Sequence, residues 1–159
     1  MDADALNRIS ESKLGSKFFL ERKYQTWITP HSKEFLRLFP NIKCETNLGM
    51  AVKAAKEFNI SILLKGANSI IADQKKAWQL FGTDSQTARA GLGDLLSGFV
   101  AGSSAIDSTI RRNITTDFFA KYALLHSFAS SKCKTGSNAF VIADKLSKLM
   151  RNRKMRQIS

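Results

Sequence analysis

Proline is almost absent: Pro30 and Pro40 are the only two in 159 residues. No Pro-rich linker therefore divides the chain, and no domain boundary is visible. Cysteine is as scarce. Cys44 and Cys133 are too few and too far apart for a disulfide framework, and they read as reduced thiols of a cytosolic protein. Only two histidines, His31 and His126, accompany them. That leaves no metal-ligand spacing, no nucleophile–histidine–acid arrangement and no Walker-type phosphate loop. No apolar run approaches the roughly 18 residues of a membrane span. The opening Met1-Asp2-Ala3-Asp4 is acidic where a secretory signal is basic and then apolar. These absences exclude a membrane-spanning helix and a secreted disulfide scaffold, and predict a cytoplasmic location. Internal repeats and low-complexity segments are absent too.

Acid is the last scarcity. Asp and Glu total 13 against 25 Lys and Arg, a net charge of +12. Such an excess attracts polyanions: nucleic acid, an anionic membrane or phosphorylated ligands. Most of the chain mixes both signs. From Lys145 onward only bases remain: Lys145, Lys148, Arg151, Arg153, Lys154 and Arg156. A nucleic-acid arm is one reading of that stretch. The lack of any aromatic residue to stack on bases favours a solvated helix end, with 151–159 as a basic tail.

What is present is a globular composition, 43% hydrophobic and 24% charged, which excludes disordered, collagen-like and coiled-coil chains. The β-rich run Tyr24 to Thr29 ends at a proline and predicts a strand. Ser32 to Phe39 follows as a short helix. Asn47 is expected to cap an amphipathic helix with Leu48, Ala51, Val52, Ala55 and Phe58 at i, i+3, i+4, i+7 and i+10. Ile60 to Leu64 reads as a buried strand, parallel to the first because a helix joins them. Two strands, Ser69 to Ala72 and Lys76 to Leu80, flank an Asp73-Gln74-Lys75 turn. From Asp94 onward three helical stripes follow. The plan is α/β, with helices on the faces of a mostly parallel sheet. Ligands in such sheets bind beyond the carboxyl ends of the strands, which places Pro30-His31 and Lys65-Gly66 on one rim.

Three segments could carry chemistry. In Ala90-Gly91-Leu92-Gly93-Asp94-Leu95-Leu96-Ser97-Gly98, glycines precede a helical stripe. First-turn amides and the helix dipole make an anion site there, and Asp94 could take a hydroxyl proton during phosphoryl transfer. The same pattern is also an ordinary helix start. In Lys65-Gly66-Ala67-Asn68-Ser69, a lysine after a buried strand can reach a phosphate, or it can be a solvated residue of a turn. In Thr29-Pro30-His31 with Glu34, the histidine could contact a substrate or be structural. His126, on an apolar stripe, reads as a satisfied core residue.

Taken in order, these segments resemble the nucleotide-dependent NAD(P)H-hydrate dehydratases, which have a ribokinase-like fold. Asp2 to Asn7 is similar to the family's DADALN, Thr29 to Phe35 to TPHPGEF, and Ala90 to Gly98 to GSGDVLAG. Leu64 to Ala72 resembles its lysine-glycine strand and hairpin, and Leu125 to Ala129 with Ala143-Asp144 resembles its closing helices. The resemblance implies a three-layer ribokinase-like sheet and repair of hydrated NADH and NADPH. ADP or ATP would phosphorylate the hydrate hydroxyl, with Mg as an additional cofactor, and phosphate would then leave. It implies Asp94 as base and substrate contact and His31 as substrate contact. Lys65, Gly66, Ala67, Asn68, Ser69, Gly91, Leu92 and Gly93 would be the nucleotide contacts, with no resident metal site. Leu92 stands where the family has a hydroxyl residue, and Phe81 to Ala88 replaces its GNPGLA-type loop.

Family members carry a comparable stretch before DADALN. Residues 1–150 are therefore expected to be the C-terminal portion of the domain, inactive alone, with its missing N-terminal half upstream and the neighbours of the missing strand exposed at a sheet edge. Expected partners are nucleotide and dinucleotide ligands, without a membrane or nucleic acid, and with room for a homo-oligomer. Two alternatives stay open: another ribokinase-like small-molecule kinase, and a non-catalytic nucleotide-binding fragment.

Overall fold

The computed structural model describes residues 1–81, 91–111, 115–134 and 136–156. The chain divides into two compact units, Met1–Gly82 and Thr83–Ser159.

The first unit is α/β. Helix α1 (Ala3–Glu11) and a 3₁₀ turn (Gly15–Phe19) lead into strand β1 (Trp27–Ile28), helix α2 (Ser32–Leu38) and helix α3 (Asn47–Phe58). Strands β2 (Ser61–Leu64), β3 (Ile70–Ala72) and β4 (Ala77–Gln79) complete a sheet of order β1-β2-β3-β4. The β1–β2 pair is parallel, as the helical connection requires. The expectation of a mostly parallel sheet is corrected here, because β2–β3 and β3–β4 are antiparallel. Short turns make them so. In the β3–β4 turn, Asp73 Oδ1 accepts from the Lys75 and Lys76 amides at 2.6 and 2.7 Å, an Asx-type turn that reverses the chain.

Helix α3 lies against β2 and β3 and buries Ala51, Ala54, Ala55 and Phe58. Its cap is Thr46, one residue before the expected Asn47: Thr46 Oγ1 accepts from the Gly49 amide at 3.0 Å. Asn59, with φ +54, ends the helix in the left-handed region, which Asn tolerates better than most residues. The core joins Leu6, Ile28, Ile62 and Leu64 to a chain of ring contacts through Phe19, Phe39, Phe35 and Phe58.

The strand expected over Tyr24 to Thr29 is only two residues long. At its outer edge it meets Met1. The Met1 amino group donates to the Trp27 carbonyl at 2.8 Å, and the Thr29 amide donates to the Met1 carbonyl at 3.1 Å. Ile28 and Thr29 are buried.

The second unit is helical: α4 (Leu92–Arg111), α5 (Thr116–Ser131) and α6 (Ala139–Arg156). Ala129, Ile142 and Leu146 form its core, with Leu92, Leu95, Phe99 and Leu125 packed around them. Phe99 and Tyr122 meet edge to face with ring centroids 5.6 Å apart, and the Tyr122 hydroxyl donates to Asp107 Oδ2. Helix α6 continues through Arg156, so most of the basic tail is helical. Both cysteines are free. Among the described residues, no helix is long and apolar enough to cross a membrane.

Candidate functional site

The parallel pairing of β1 and β2 continues past both strands. The Lys65 amide donates to the Pro30 carbonyl at 2.8 Å, and His31 and Lys65 form a parallel bridge. The two segments expected on one rim therefore meet at the carboxyl ends of these strands.

His31 is the N-cap of α2. Its Nδ1 accepts from the Lys33 and Glu34 amides at 3.1 and 3.2 Å, while its own amide donates to Glu34 Oε2 at 2.8 Å. A nitrogen that accepts is unprotonated, so the ring proton lies on Nε2. Nε2 stands 3.4 Å from Glu34 Oε1 on a side chain that is 48% exposed. The structural role open in the sequence is thus filled, and the exposed Nε2 edge, beside Glu34 Oε1, is the part of the ring a ligand could reach.

Lys65 does not extend into solvent. Its Nζ donates to Asp2 Oδ1 at 2.8 Å, in a pair whose side chains are 24% and 10% exposed. Beyond it, Ser69 Oγ donates to the Gly66 carbonyl at 3.2 Å and closes a tight turn. Gly66, Ala67 and Asn68 of that turn line a cleft of about 440 Å³. Its other walls are Thr46, Asn47 and Leu48 at the start of α3, and Ile70 and Gln79 from β3 and β4. None of the lining residues is charged. Amides at the start of α3 favour an anionic or polar ligand there, and Leu48 and Ile70 supply apolar contact.

In the second unit, Gly91 has φ +80, and its carbonyl accepts the first helical bond of α4 from Leu95 at 2.9 Å. Leu92 and Gly93 are the first two helical residues. Asp94 is the third and is exposed; it sits inside the first turn, two residues after the start of the helix it is expected to open. Ala90 and the Gly82 to Ala88 part of the replaced loop lie outside the described residues.

His126 is buried, but its Nε2 has no hydrogen-bond partner among the described residues. It is a core histidine that is not satisfied. Burial lowers its pKa from 6.5 to about 4. Sequence reasoning missed Asp2 as the partner of Lys65 and Thr46 to Leu48 as a wall of the cleft. The first is invisible at a separation of 63 residues. The second was signalled by Thr46 before an amphipathic run.

A family model described as NAD(P)H-hydrate dehydratase matches residues 1–152. The chain belongs to this family. The bifunctional NAD(P)H-hydrate repair enzyme of Synechocystis sp. is 36% identical over 103 residues, which are 64% of this chain and 20% of that protein. The chain spans about a fifth of the length of the curated relatives it matches. Among solved structures, a ribokinase-like superfamily protein of Enterococcus faecalis V583 superimposes with a TM-score of 0.74 at 23% identity, covering 95% of this chain and 51% of that one. The ADP/ATP-dependent NAD(P)H-hydrate dehydratase of Bacillus subtilis, co-crystallised with ATP and Mg²⁺, gives 0.57 at 17% identity over 83% and 51% of the two chains. The fold is ribokinase-like.

Proposed function

We propose that this chain takes part in nucleotide-dependent repair of hydrated NADH and NADPH. The observation that carries the proposal is the family match across 1–152. It is supported by a neutral, amide-lined cleft beside the Lys65–Gly66 turn and by a glycine-led helix with Asp94 in its first turn.

Asp94 Oδ accepts the proton of the hydrate hydroxyl. The hydroxyl oxygen forms a bond to the terminal phosphorus of ATP or ADP, and the bond from that phosphorus to the leaving nucleotide oxygen breaks. Amides at the start of α4, led by Gly91, Leu92 and Gly93, stabilise the charge on the transferring group. In the second step the carbon–oxygen bond to phosphate breaks and a proton leaves the adjoining ring carbon, restoring the dihydropyridine. His31 Nε2–H contacts the hydrated dinucleotide. Lys65, Gly66, Ala67, Asn68 and Ser69 hold the nucleotide. No cluster of three or more His, Cys, Asp or Glu side chains occurs among the described residues. Mg²⁺ would therefore arrive on the nucleotide phosphates, keeping most of its waters, as part of the co-substrate. Residues 1–150 are, in this proposal, the nucleotide-binding portion, and 151–159 a basic extension.

The test has two arms. Titration calorimetry of the chain with ADP and with ATP·Mg²⁺ reads binding. Return of the reduced-nicotinamide absorbance from hydrated NADH reads turnover. In a full-length protein that turns over, Asp94→Asn is expected to lower turnover by about 10²–10⁴-fold with nucleotide affinity nearly unchanged. No heat from either nucleotide at about millimolar concentration overturns the proposal.

A further inference from the structure

Asp2 occupies the N-cap of α1, with extended backbone angles of φ −148 and ψ 167, yet its side chain makes no cap hydrogen bond. Asp is among the residues best suited to that duty. Here Oδ1 accepts from Lys65 Nζ instead. The next residue, Ala3, has φ +42, a left-handed value that a side chain adopts only under constraint. The strained backbone and the uncapped helix start thus sit beside a carboxylate that is bound to the lysine and not to its own helix.

The backbone of Lys65 and of Met1, the neighbour of Asp2, is bonded to the β1 segment from opposite sides. Met1 accepts from the Thr29 amide on one edge, and Lys65 donates its amide to Pro30 on the other. The ion pair therefore passes over the carboxyl end of β1, beside His31. Lys65 leads directly into the turn whose Gly66, Ala67 and Asn68 line the cleft.

We propose that Asp2 is a positioning residue for nucleotide binding. It holds the flexible Lys65 side chain in one place on the rim where β1 and β2 end, so that the ammonium is already fixed when a nucleoside di- or triphosphate arrives. This rests on the nucleotide reading given above. A lysine is a mobile point charge on a four-carbon stem, and fixing it beforehand removes an ordering cost from ligand binding.

The carboxylate also opposes an incoming anion, so the test separates tether from charge. Asp2→Asn loses the charge and keeps an acceptor; Asp2→Ala loses both. Calorimetry with ADP and with adenosine, on the full chain, reads the difference. Asp2→Ala is expected to bind ADP about 3- to 10-fold more weakly than Asp2→Asn. The two should bind adenosine alike, and the difference should vanish when Lys65→Met is added to each. Should Asp2→Ala not fold, Asp2→Ser, whose hydroxyl can cap α1 but is too short to reach Nζ, takes its place. Equal ADP affinity in the two variants overturns the positioning role while leaving the nucleotide reading intact. Failure of the unaltered chain to bind ADP removes both.

Discussion

His31 and Glu34 cap each other across the first turn of α2: each side chain accepts the other residue's backbone amide. Glu34 is buried, so its carboxylate depends on this bond and on the nearby imidazole for solvation. Losing a cap costs roughly 0.5–2 kcal/mol. His31→Ala is therefore expected to destabilise the chain by about 1–2 kcal/mol in urea unfolding, whereas His31→Asn, with a side-chain oxygen able to cap, should stay near the unaltered value. If His31 also contacts the hydrated dinucleotide, His31→Asn should still lose affinity for it, because the Nε2 donor is gone. Equal stability of the Ala and Asn variants would mean that the reciprocal cap contributes nothing.

Gly66 should separate fold from ligand. A Cβ built on it meets nothing within 4 Å, and its φ is not in the left-handed range. Gly66→Ala should therefore leave thermal stability within about 0.5 kcal/mol. The added methyl group would nonetheless narrow the turn that lines the cleft, and nucleotide affinity should fall. An unchanged affinity for both ADP and ATP would show that the ligand does not approach the backbone at this turn.

Much of this architecture is legible in the chain, for local reasons. The spacing of Ala51, Ala55 and Phe58 predicts α3. Ile60 to Leu64 shows as an apolar run before Lys65-Gly66, and Asp73 marks the hairpin. Three apolar stripes after Asp94 correspond to α4, α5 and α6. Where local signals compete, the sequence reading slips. Thr46 and Asn47 are both good caps, and only the geometry of Oγ1 to the Gly49 amide decides between them. Helix α1 buries only Leu6, too little for a periodic stripe. Antiparallel pairing of β2 with β3 depends on the tight Gly66–Ser69 turn. The pairing of Asp2 with Lys65 depends on the tertiary fold, and no spacing rule reports it.

Tyr122 carries the joint between α4 and α5. Its hydroxyl donates to Asp107, whose Oδ2 also lies 3.9 Å from Lys121 Nζ. A hydrogen bond to a charged group contributes about 1.5–3 kcal/mol net. Tyr122→Phe keeps the ring contact with Phe99 and removes only the hydroxyl, so the expected loss is of that size in denaturant unfolding. Asp107→Asn should cost less, since an amide oxygen still accepts. A Tyr122→Phe variant as stable as the parent chain would place the strength of this joint in ring packing alone.

His126 should give the fold a slope in acid. Burial holds its folded pKa near 4, below the ordinary 6.5, because the charged imidazolium loses water that nothing replaces. Between these two values the unfolded chain binds more protons than the folded one, so acid favours unfolding. The contribution is fully present above pH 6.5 and is lost as the pH falls from there towards 4. Its full size is about 3 kcal/mol, and about 2 kcal/mol of it should disappear between pH 7 and pH 5. Other groups titrate in acid too, so the informative quantity is the difference from His126→Leu, which cannot take up the proton. That variant should lose this part of the slope while keeping its stability at pH 7 within about 1.5 kcal/mol, because the Nε2 it removes has no partner among the described residues to leave behind. Urea unfolding of both proteins across this range is the measurement. Parallel curves would mean that His126 titrates as freely in the folded chain as in the unfolded one, and that its imidazole is hydrated in solution.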